Sequence, residues 1–460
     1  MDVSAIIERQ RALVRGGTTR SRESRVDRLR RLSRALEARE SELLEALHAD
    51  LRKPPHEAYV SEIGFVQSEI RHAIRHLPSW MKRRRRRVPL LAWPGSAFVQ
   101  PEPYGVGLIL GPWNYPAQLL LSPLVGALAA GNCAVLKPSE LAPHTAEAVS
   151  RLVASTFSPE EVVVVTGGSD VAEELLRHRF DVIFFTGSTR VGRLVMAAAA
   201  RHGTPVTLEL GGKSPCLVCA DAPLETTARR IAWGKFLNAG QTCVAPDYVL
   251  VDRRVSEGLV EALKRAVRAF YGEDPQQSPD YGRIVNQRHL QRLAALLKDG
   301  RIVHGGQVDL EDLYLAPTLI MQARWDTPIM QEEIFGPILP VVEFDRLEEA
   351  LTLVRERPTP LALYLFTRDA AVQQTVLEQT RSGGVCINDT ISQIVARELP
   401  FGGLGESGLG AYHGRASFDC FSHRRAVMRR AFWMDSRLRY PPPRISLRSL
   451  RKAARFLLGG

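Results

Sequence analysis

Val106-Gly-Leu-Ile-Leu110, Ala134-Val-Leu136, Val162-Val-Val-Val165, Val182-Ile-Phe-Phe185 and Val206-Thr-Leu-Glu-Leu210 are short, nearly continuous apolar runs. Such runs mark strands covered on both faces, because a strand with one wet face alternates apolar and polar residues. Helix-like stretches separate them, among them Pro143–Phe157 and Asp170–His178. Strand and helix in regular alternation imply a parallel, doubly wound α/β sheet, whose ligands sit beyond the carboxyl ends of the strands.

Outward from this block, the pattern changes on both sides. Towards the N-terminus, Leu29, Leu32, Leu36, Leu43, Leu44 and Leu47 recur at helical spacing between charges, and Lys53-Pro54-Pro55 stops them. This predicts an amphipathic helix or helix pair. Glu62–Leu77 reads as a further helix, and the proline-rich stretch Arg83–Pro103 as an excursion. Towards the C-terminus a second alternating region begins. Pro215–Cys219, Tyr248–Val251, Ile338–Val342, Leu361–Phe366 and Gly384–Ile387 read as strands, with helices at Ala222–Asn238 and Val255–Phe270. A second α/β domain, joined to the first near Gly211-Gly212, is the expectation.

The bulk numbers agree. The chain has 460 residues, 45% hydrophobic and 24% charged, which suits two domains. Six scattered cysteines do not form a secreted disulfide framework, and Met1–Arg20 lacks the apolar core of a signal peptide. A reducing, cytoplasmic setting is expected. The net charge of +11 is partly local, in Lys82–Arg87 and again in Arg444–Arg455. Lys82–Arg87 has no interleaved aromatics and reads as a solvated run, so no nucleic-acid partner is expected.

Three short patterns mislead. Gly403-Leu-Gly405-Glu-Ser-Gly408 has dinucleotide-type glycine spacing but follows a turn, not a strand. Gly212-Lys213-Ser214 ends like a P-loop, yet Thr207 stands where the first glycine is required. Cys216 and Cys219 are three apart in an extended strand and so point to opposite faces. No histidine pair has metal-binding spacing beside a carboxylate, and no metal is expected.

The chemistry lies in stretches that gain meaning together. Cys243, in Asn238-Ala-Gly-Gln-Thr-Cys243, sits on a polar turn, where a thiolate could attack a carbonyl if its surroundings lower its pKa. Glu209 ends an apolar strand, either as a buried structural partner or as a desolvated general base. Asn114, in Gly111-Pro-Trp-Asn-Tyr-Pro116, follows the first sheet strand and could donate to an oxyanion. Lys137 ends the next strand and could reach ribose hydroxyls. Phe185-Thr-Gly187-Ser-Thr-Arg-Val-Gly192 sets strand, glycine turn and helix start in series, which suits a pyrophosphate.

Together these stretches resemble the aldehyde dehydrogenase superfamily, from about Val3 to Pro442. The matching segments are GPWNYP at Gly111, LKPSE at Leu136, FTGSTRVG at Phe185, LELGGKSP at Leu208, GQTCVAPDYVLV at Gly240, EEIFGPILP at Glu332 and PFGGLGESGLGAYHG at Pro400. Tyr115, the YHG at Tyr412 and the FSHRRAVM–RYPP ending are similar to the class 3 branch, which includes fatty-aldehyde enzymes. The resemblance implies a Rossmann-like NAD-binding domain (1–82 and 102–210), an α/β catalytic domain (211–411) and a small oligomerisation arm (83–101 and 425–440). It further implies a homodimer and NAD, with NADP also admitted. Cys243 would be the nucleophile, Asn114 and the Cys243 backbone N–H would hold the oxyanion, and Glu209 would activate the hydrolytic water. Lys137 and Glu140 would bind the adenosine ribose, Gly187, Ser188 and Gly192 would surround the phosphates, and Glu333 would bind the nicotinamide ribose. Phe335 would pack beside the nicotinamide ring, Trp113 and Leu210 would also bind the cofactor, and Tyr115 and Trp233 would line the substrate entrance with the Asn388–Ile394 loop.

Two rival readings stand beside this one: a CoA-acylating enzyme, against which Glu209 argues, and a catalytically idle binding protein, against which the intact Cys243, Glu209 and Asn114 argue. Beyond the match, residues 444–460 form a basic tail. On a helix, Leu447, Leu450, Ala454, Leu457 and Leu458 gather opposite Arg448, Arg451, Lys452 and Arg455. That is the pattern of a helix lying on a membrane surface, although a basic terminus of no fixed structure has the same composition.

Overall fold

The computed structural model describes residues 2–435, 440–442 and 446–457. Its first sheet has five parallel strands, Val106–Leu110, Cys133–Lys137, Val162–Val164, Val182–Thr186 and Val206–Glu209. In space they run fifth, fourth, first, second, third. The order therefore reverses between Val106–Leu110 and Val182–Thr186, and the crevice beyond the carboxyl ends of these two strands is where ligands bind in such sheets.

Both faces are covered, which explains the continuous apolar runs. One face carries Gln118–Ala130, an entirely buried helix, together with Arg22–Ala38, Glu40–Leu51, Gly64–Trp80 and Pro143–Thr156. The other carries Ser169–Arg177 and Thr189–Ala200, and also Val3–Arg15, whose Ile6, Ile7 and Val14 pack beneath Leu108 and Ile183. The doubly wound class holds, with the leucine-rich N-terminal segment resolved as two helices. A sixth strand, Gly408–Leu409, pairs antiparallel with the end of Val206–Glu209. The glycine-rich stretch at Gly403–Gly408 is the turn that delivers it.

The second sheet has seven strands in the spatial order Arg301–His304, Thr318–Met321, Ile338–Phe344, Tyr248–Asp252, Pro215–Val218, Ala362–Phe366 and Gly384–Ile387. All pairs are parallel except the one made by Arg301–His304 at the edge. That strand and its neighbour Thr318–Met321 were not anticipated. Arg301 and Ile302 are exposed, so the edge strand lacks the apolar signature of the others. Cys216 and Cys219 contribute to opposite sides of this sheet.

The proline-rich excursion is a ribbon. Gly95–Pro103 pairs antiparallel with Ser422–Arg430 along its whole length and with Arg84–Arg86 on its other edge. Arg84–Arg86 is fully exposed, as a solvated charge run should be. A charged edge also discourages further strand addition. Near the C-terminus, Leu447–Leu457 is helical, with Leu447 and Leu450 exposed. Residues 436–439 of the expected arm, and 443–445 and 458–460 around the tail, including Leu458, lie outside the described residues. No described helix is long and apolar enough to cross a membrane.

Candidate active site

Cys243 is held by a backbone that few residues tolerate. After the helix Leu224–Phe236, three successive residues take left-handed conformations: Asn238 (φ 53°), Ala239 (φ 50°) and Gly240 (φ 74°). A side chain at Gly240 would come within 2.3 Å of the Gly336 carbonyl oxygen, so only glycine fits there. Buried amides hold the strained turn. Gln241 donates to the carbonyls of Asn238 (3.0 Å) and Arg283 (2.9 Å) and accepts from the Val285 N–H (3.0 Å). The Asn238 amide donates to the Asn114 carbonyl at 2.7 Å. Asn238 and Gln241 were read only as a polar setting for the thiol; they are what fixes the loop.

Asn114 sits past the carboxyl end of Val106–Leu110 and is buried. Its Nδ2 donates to the Gln241 carbonyl at 3.0 Å, which ties the two halves of the site and aims the carboxamide at the loop carrying Cys243. Beneath it lies a pair that the sequence reading missed. Lys53 Nζ meets Glu62 Oε1 at 2.5 Å, both side chains fully buried, and also donates to the Asn114 carbonyl at 3.1 Å. Glu62 Oε2 accepts from the N–H groups of Ala117 (2.9 Å) and Gln118 (3.0 Å). A signal existed: Glu62 falls on the same helical stripe as Val66, Ile70, Ala73 and Leu77.

Cys243 and Glu209 line one cavity of about 600 Å³ with mostly apolar walls. Tyr115 lines it too, its hydroxyl 2.7 Å from Thr242 Oγ1, as do Ile391 and Ile394. Trp233, 44% exposed, stands at its mouth. Neither carboxylate oxygen of Glu209 has a hydrogen-bond partner among the described residues, and burial alone pushes its pKa well above the usual carboxylate value. Among the described residues no buried base pairs with it. For Cys243 the expected lowering is not found. Burial first, then Glu333 and Glu209, push the thiol well up, against a smaller pull from the backbone N–H groups of Cys243 and Val244.

The remaining residues gather around the crevice. Gly187 N–H donates to the Glu209 carbonyl at 3.0 Å, locking the glycine turn to the neighbouring strand. Ser188 caps the helix Thr189–Ala200 by accepting from the Val191 N–H. A side chain at Gly192 would meet Leu210 Cδ2 at 2.6 Å, so Leu210 lies against the first turn of that helix. Lys137 Nζ meets Glu140 Oε2 at 2.7 Å past the end of the second strand. Glu333 packs its carboxylate on Gly211, where any side chain would collide with Oε2. Its Oε1 has no hydrogen-bond partner among the described residues, and burial and then Asp247 raise its pKa to about 8. Phe335 (φ 51°) meets Trp113 edge-on, ring centroids 5.3 Å apart. All the residues singled out from the sequence therefore surround either the cavity or the strand ends beside it.

Comparisons with known proteins identify the family. The model of the aldehyde dehydrogenase family matches residues 1–427. The chain is 49% identical to aldehyde dehydrogenase family 3 member B1 of Homo sapiens over 438 residues, 95% of this chain and 94% of that one. It is 45% identical to the "Aldehyde dehydrogenase, dimeric NADP-preferring" of Rattus norvegicus over 442 residues, 96% of this chain and 98% of that one. The structure titled "Substrate bound state of Staphylococcus Aureus AldH" superposes with a TM-score of 0.96 at 42% identity, covering 98% of this chain and 99% of the other. The chain belongs to the aldehyde dehydrogenase family, on its class 3 branch, and is an oxidoreductase acting on aldehyde groups.

Proposed function

We propose that this enzyme converts aldehydes to carboxylic acids with NAD or NADP, through a thiohemiacetal and then a thioester on Cys243. The observation that carries the reading is the cavity shared by a cysteine on a braced turn and by Glu209, a buried carboxyl without a hydrogen-bond partner among the described residues; the Asn114 amide is tied to the cysteine loop beside it. Cys243 Sγ attacks the carbonyl carbon. The raised thiol must first give up its proton, and Glu209, raised by burial, is the acceptor in the same cavity. The Cys243 backbone N–H and the Asn114 amide steady the oxyanion. The nicotinamide cofactor supplies the hydride acceptor. Glu209 releases the thiol proton to solvent and then takes a proton from water; hydroxide adds to the thioester, the carboxylic acid leaves, and the departing Cys243 sulfur recovers that second proton from Glu209 as the thiol.

The residues around the crevice fit such a cofactor. Glu333 Oε1 is enclosed and has no partner among the described residues, as a group awaiting a ribose hydroxyl would be. Lys137 and Glu140 stand ready for a second ribose, and the Ser188-capped helix offers backbone N–H groups to phosphate. Glu140 accepts from a 2′-hydroxyl and repels a 2′-phosphate, which supports NAD as the preferred partner.

The apolar cavity suits medium- or long-chain aliphatic and aromatic aldehydes, with Tyr115 and Trp233 on its walls. Residues 1–82 and 102–210 act as the cofactor half, 211–411 as the catalytic half, and 83–101 with 425–440 as an arm between the subunits of a homodimer. The word "dimeric" in the name of the rat relative supports that assembly. The setting is cytoplasmic, with the tail on a membrane surface. The test is NADH formation from hexanal and NAD, with and without CoA. Turnover to hexanoate without CoA is expected. An absolute need for CoA would favour acyl transfer to that thiol, and no turnover at all would favour an idle binding protein.

A further inference from the structure

One wall of the cavity carries a group that the reaction above does not use. Glu57 lies on the short helical turn Pro55–Ala58, just before the buried Glu62, and lines the cavity together with Ala269, Phe270, Tyr271 and Asp280. Glu57 Oε1 is enclosed and has no hydrogen-bond partner among the described residues. The cation that acts on it, Lys53, is already committed to Glu62 and to the Asn114 carbonyl. The Asn238 backbone N–H bears on this carboxyl from the protein side, but no donor among the described residues reaches Oε1, and the rest of the wall is mostly apolar. An enclosed acceptor atom left without a donor is costly, and an occupant of the cavity that carries a donor offsets that cost.

We propose that Glu57 determines specificity: its carboxyl accepts a hydrogen bond from a hydroxyl or amine on the substrate chain, so that aldehydes carrying a donor at the matching distance from the carbonyl are favoured over unsubstituted ones. The inference rests on the cysteine-based aldehyde oxidation proposed above. Burial raises the Glu57 carboxyl to about 7, against the pull of Lys53 and the Asn238 backbone N–H. It therefore meets a neutral hydroxyl without the full desolvation cost of a fixed charge. Phe270 and Tyr271 beside it are rigid walls for the chain that leads there.

The experiment measures kcat/KM for straight-chain aldehydes from butanal to dodecanal, each with and without a terminal hydroxyl. In the unmodified enzyme the hydroxyl-to-unsubstituted ratio is expected to peak at one chain length, because the cavity fixes the span from Cys243 to Glu57. At the peak the advantage is about tenfold, the worth of one hydrogen bond to a carboxylate. Glu57→Gln keeps an acceptor and retains most of the peak; Glu57→Leu flattens it. An aldehyde ending in a trimethylammonium group, which has charge and no donor, gains nothing. A ratio near one at every length in the unmodified enzyme, or the same peak in Glu57→Leu, overturns the proposal. So does a preference for the trimethylammonium probe over the hydroxyl. If the unmodified enzyme oxidises none of the unsubstituted aldehydes, the failure lies with the reaction itself and not with Glu57.

Discussion

Replacing Lys53 by methionine removes one partner of a fully buried ion pair whose atoms are 2.5 Å apart. The Glu62 carboxylate then keeps only the N–H groups of Ala117 and Gln118, both on Oε2. Breaking a buried pair from one side costs about 3–5 kcal/mol. With an unfolding entropy of about 2.1 cal/mol/K per residue, a chain of this length loses roughly 1 °C of Tm per kcal/mol, so Lys53→Met is expected to melt about 3–5 °C lower. In the double variant Lys53→Met/Glu62→Gln, the glutamine carbonyl still accepts from both N–H groups and no charge is left buried. The double variant should therefore recover most of the stability, with a coupling of at least about 2 kcal/mol. Activity should not recover with it. Lys53 also holds the Asn114 carbonyl at 3.1 Å, and with that bond gone kcat should fall about tenfold in both variants while KM barely moves. Differential scanning calorimetry and steady-state NADH formation read the two effects separately. Additive stability losses, or a double variant with parental kcat, would refute the reasoning.

Cys243→Ala should lower aldehyde oxidation by at least about a thousandfold and leave cofactor binding by fluorescence titration intact; near-normal turnover would move the nucleophile elsewhere. Because Glu209 takes the thiol proton as well as the water proton, Glu209→Gln should slow the first burst of NADH together with steady-state turnover, whereas an intact stoichiometric burst followed by slow turnover would confine Glu209 to the hydrolytic step. The same variant has a pH signature. Because burial raises the folded-state pKa of Glu209 above the usual 4.5, its contribution to stability is full below that value and is lost as pH rises through the folded one. Glu209→Gln should thus gain in Tm over the parent at alkaline pH and not at about pH 4, and an equal difference at both would contradict the burial argument. Glu140→Gln removes the repulsion of a 2′-phosphate and should raise kcat/KM for NADP relative to NAD by about tenfold; a parent that already prefers NADP reverses the reading. A chain ending at Pro443 should sediment less than the full chain on anionic vesicles at low salt, since each basic residue near such a surface contributes about 1 kcal/mol.

The doubly wound sheet was legible because burial on both faces writes itself as unbroken apolar runs, as in Val106–Leu110 and Val182–Thr186. Arg301–His304 was not legible, because an exposed edge strand carries no such pattern. At the site, Cys243, Glu209 and Asn114 could be read from short polar motifs inside apolar context. Lys53 and Glu57 could not. Their sequence neighbourhood is a proline-marked helix stop, and their meaning comes from Tyr115, Asn114 and Tyr271, residues distant in the chain. The raised thiol of Cys243 also lay beyond the sequence, since it depends on the field of Glu333 and Glu209 around a buried sulfur.

The two-residue strand Gly408–Leu409 seals the edge of the sheet beside Glu209, and the Leu210 N–H donates to the Ser407 carbonyl. These partners are separated by about 200 residues. During synthesis the strand bearing Glu209 leaves the ribosome long before its cover does, with one rank of N–H and C=O groups unpaired. The helix-rich N-terminal part can settle from local contacts, but the edge beside Glu209 closes only when nearly the whole chain has emerged. A nascent or prematurely ended chain therefore presents an open strand at that position, a template for pairing with its neighbours. The segment that completes the site is in this sense also the one that ends the chain's most aggregation-prone interval.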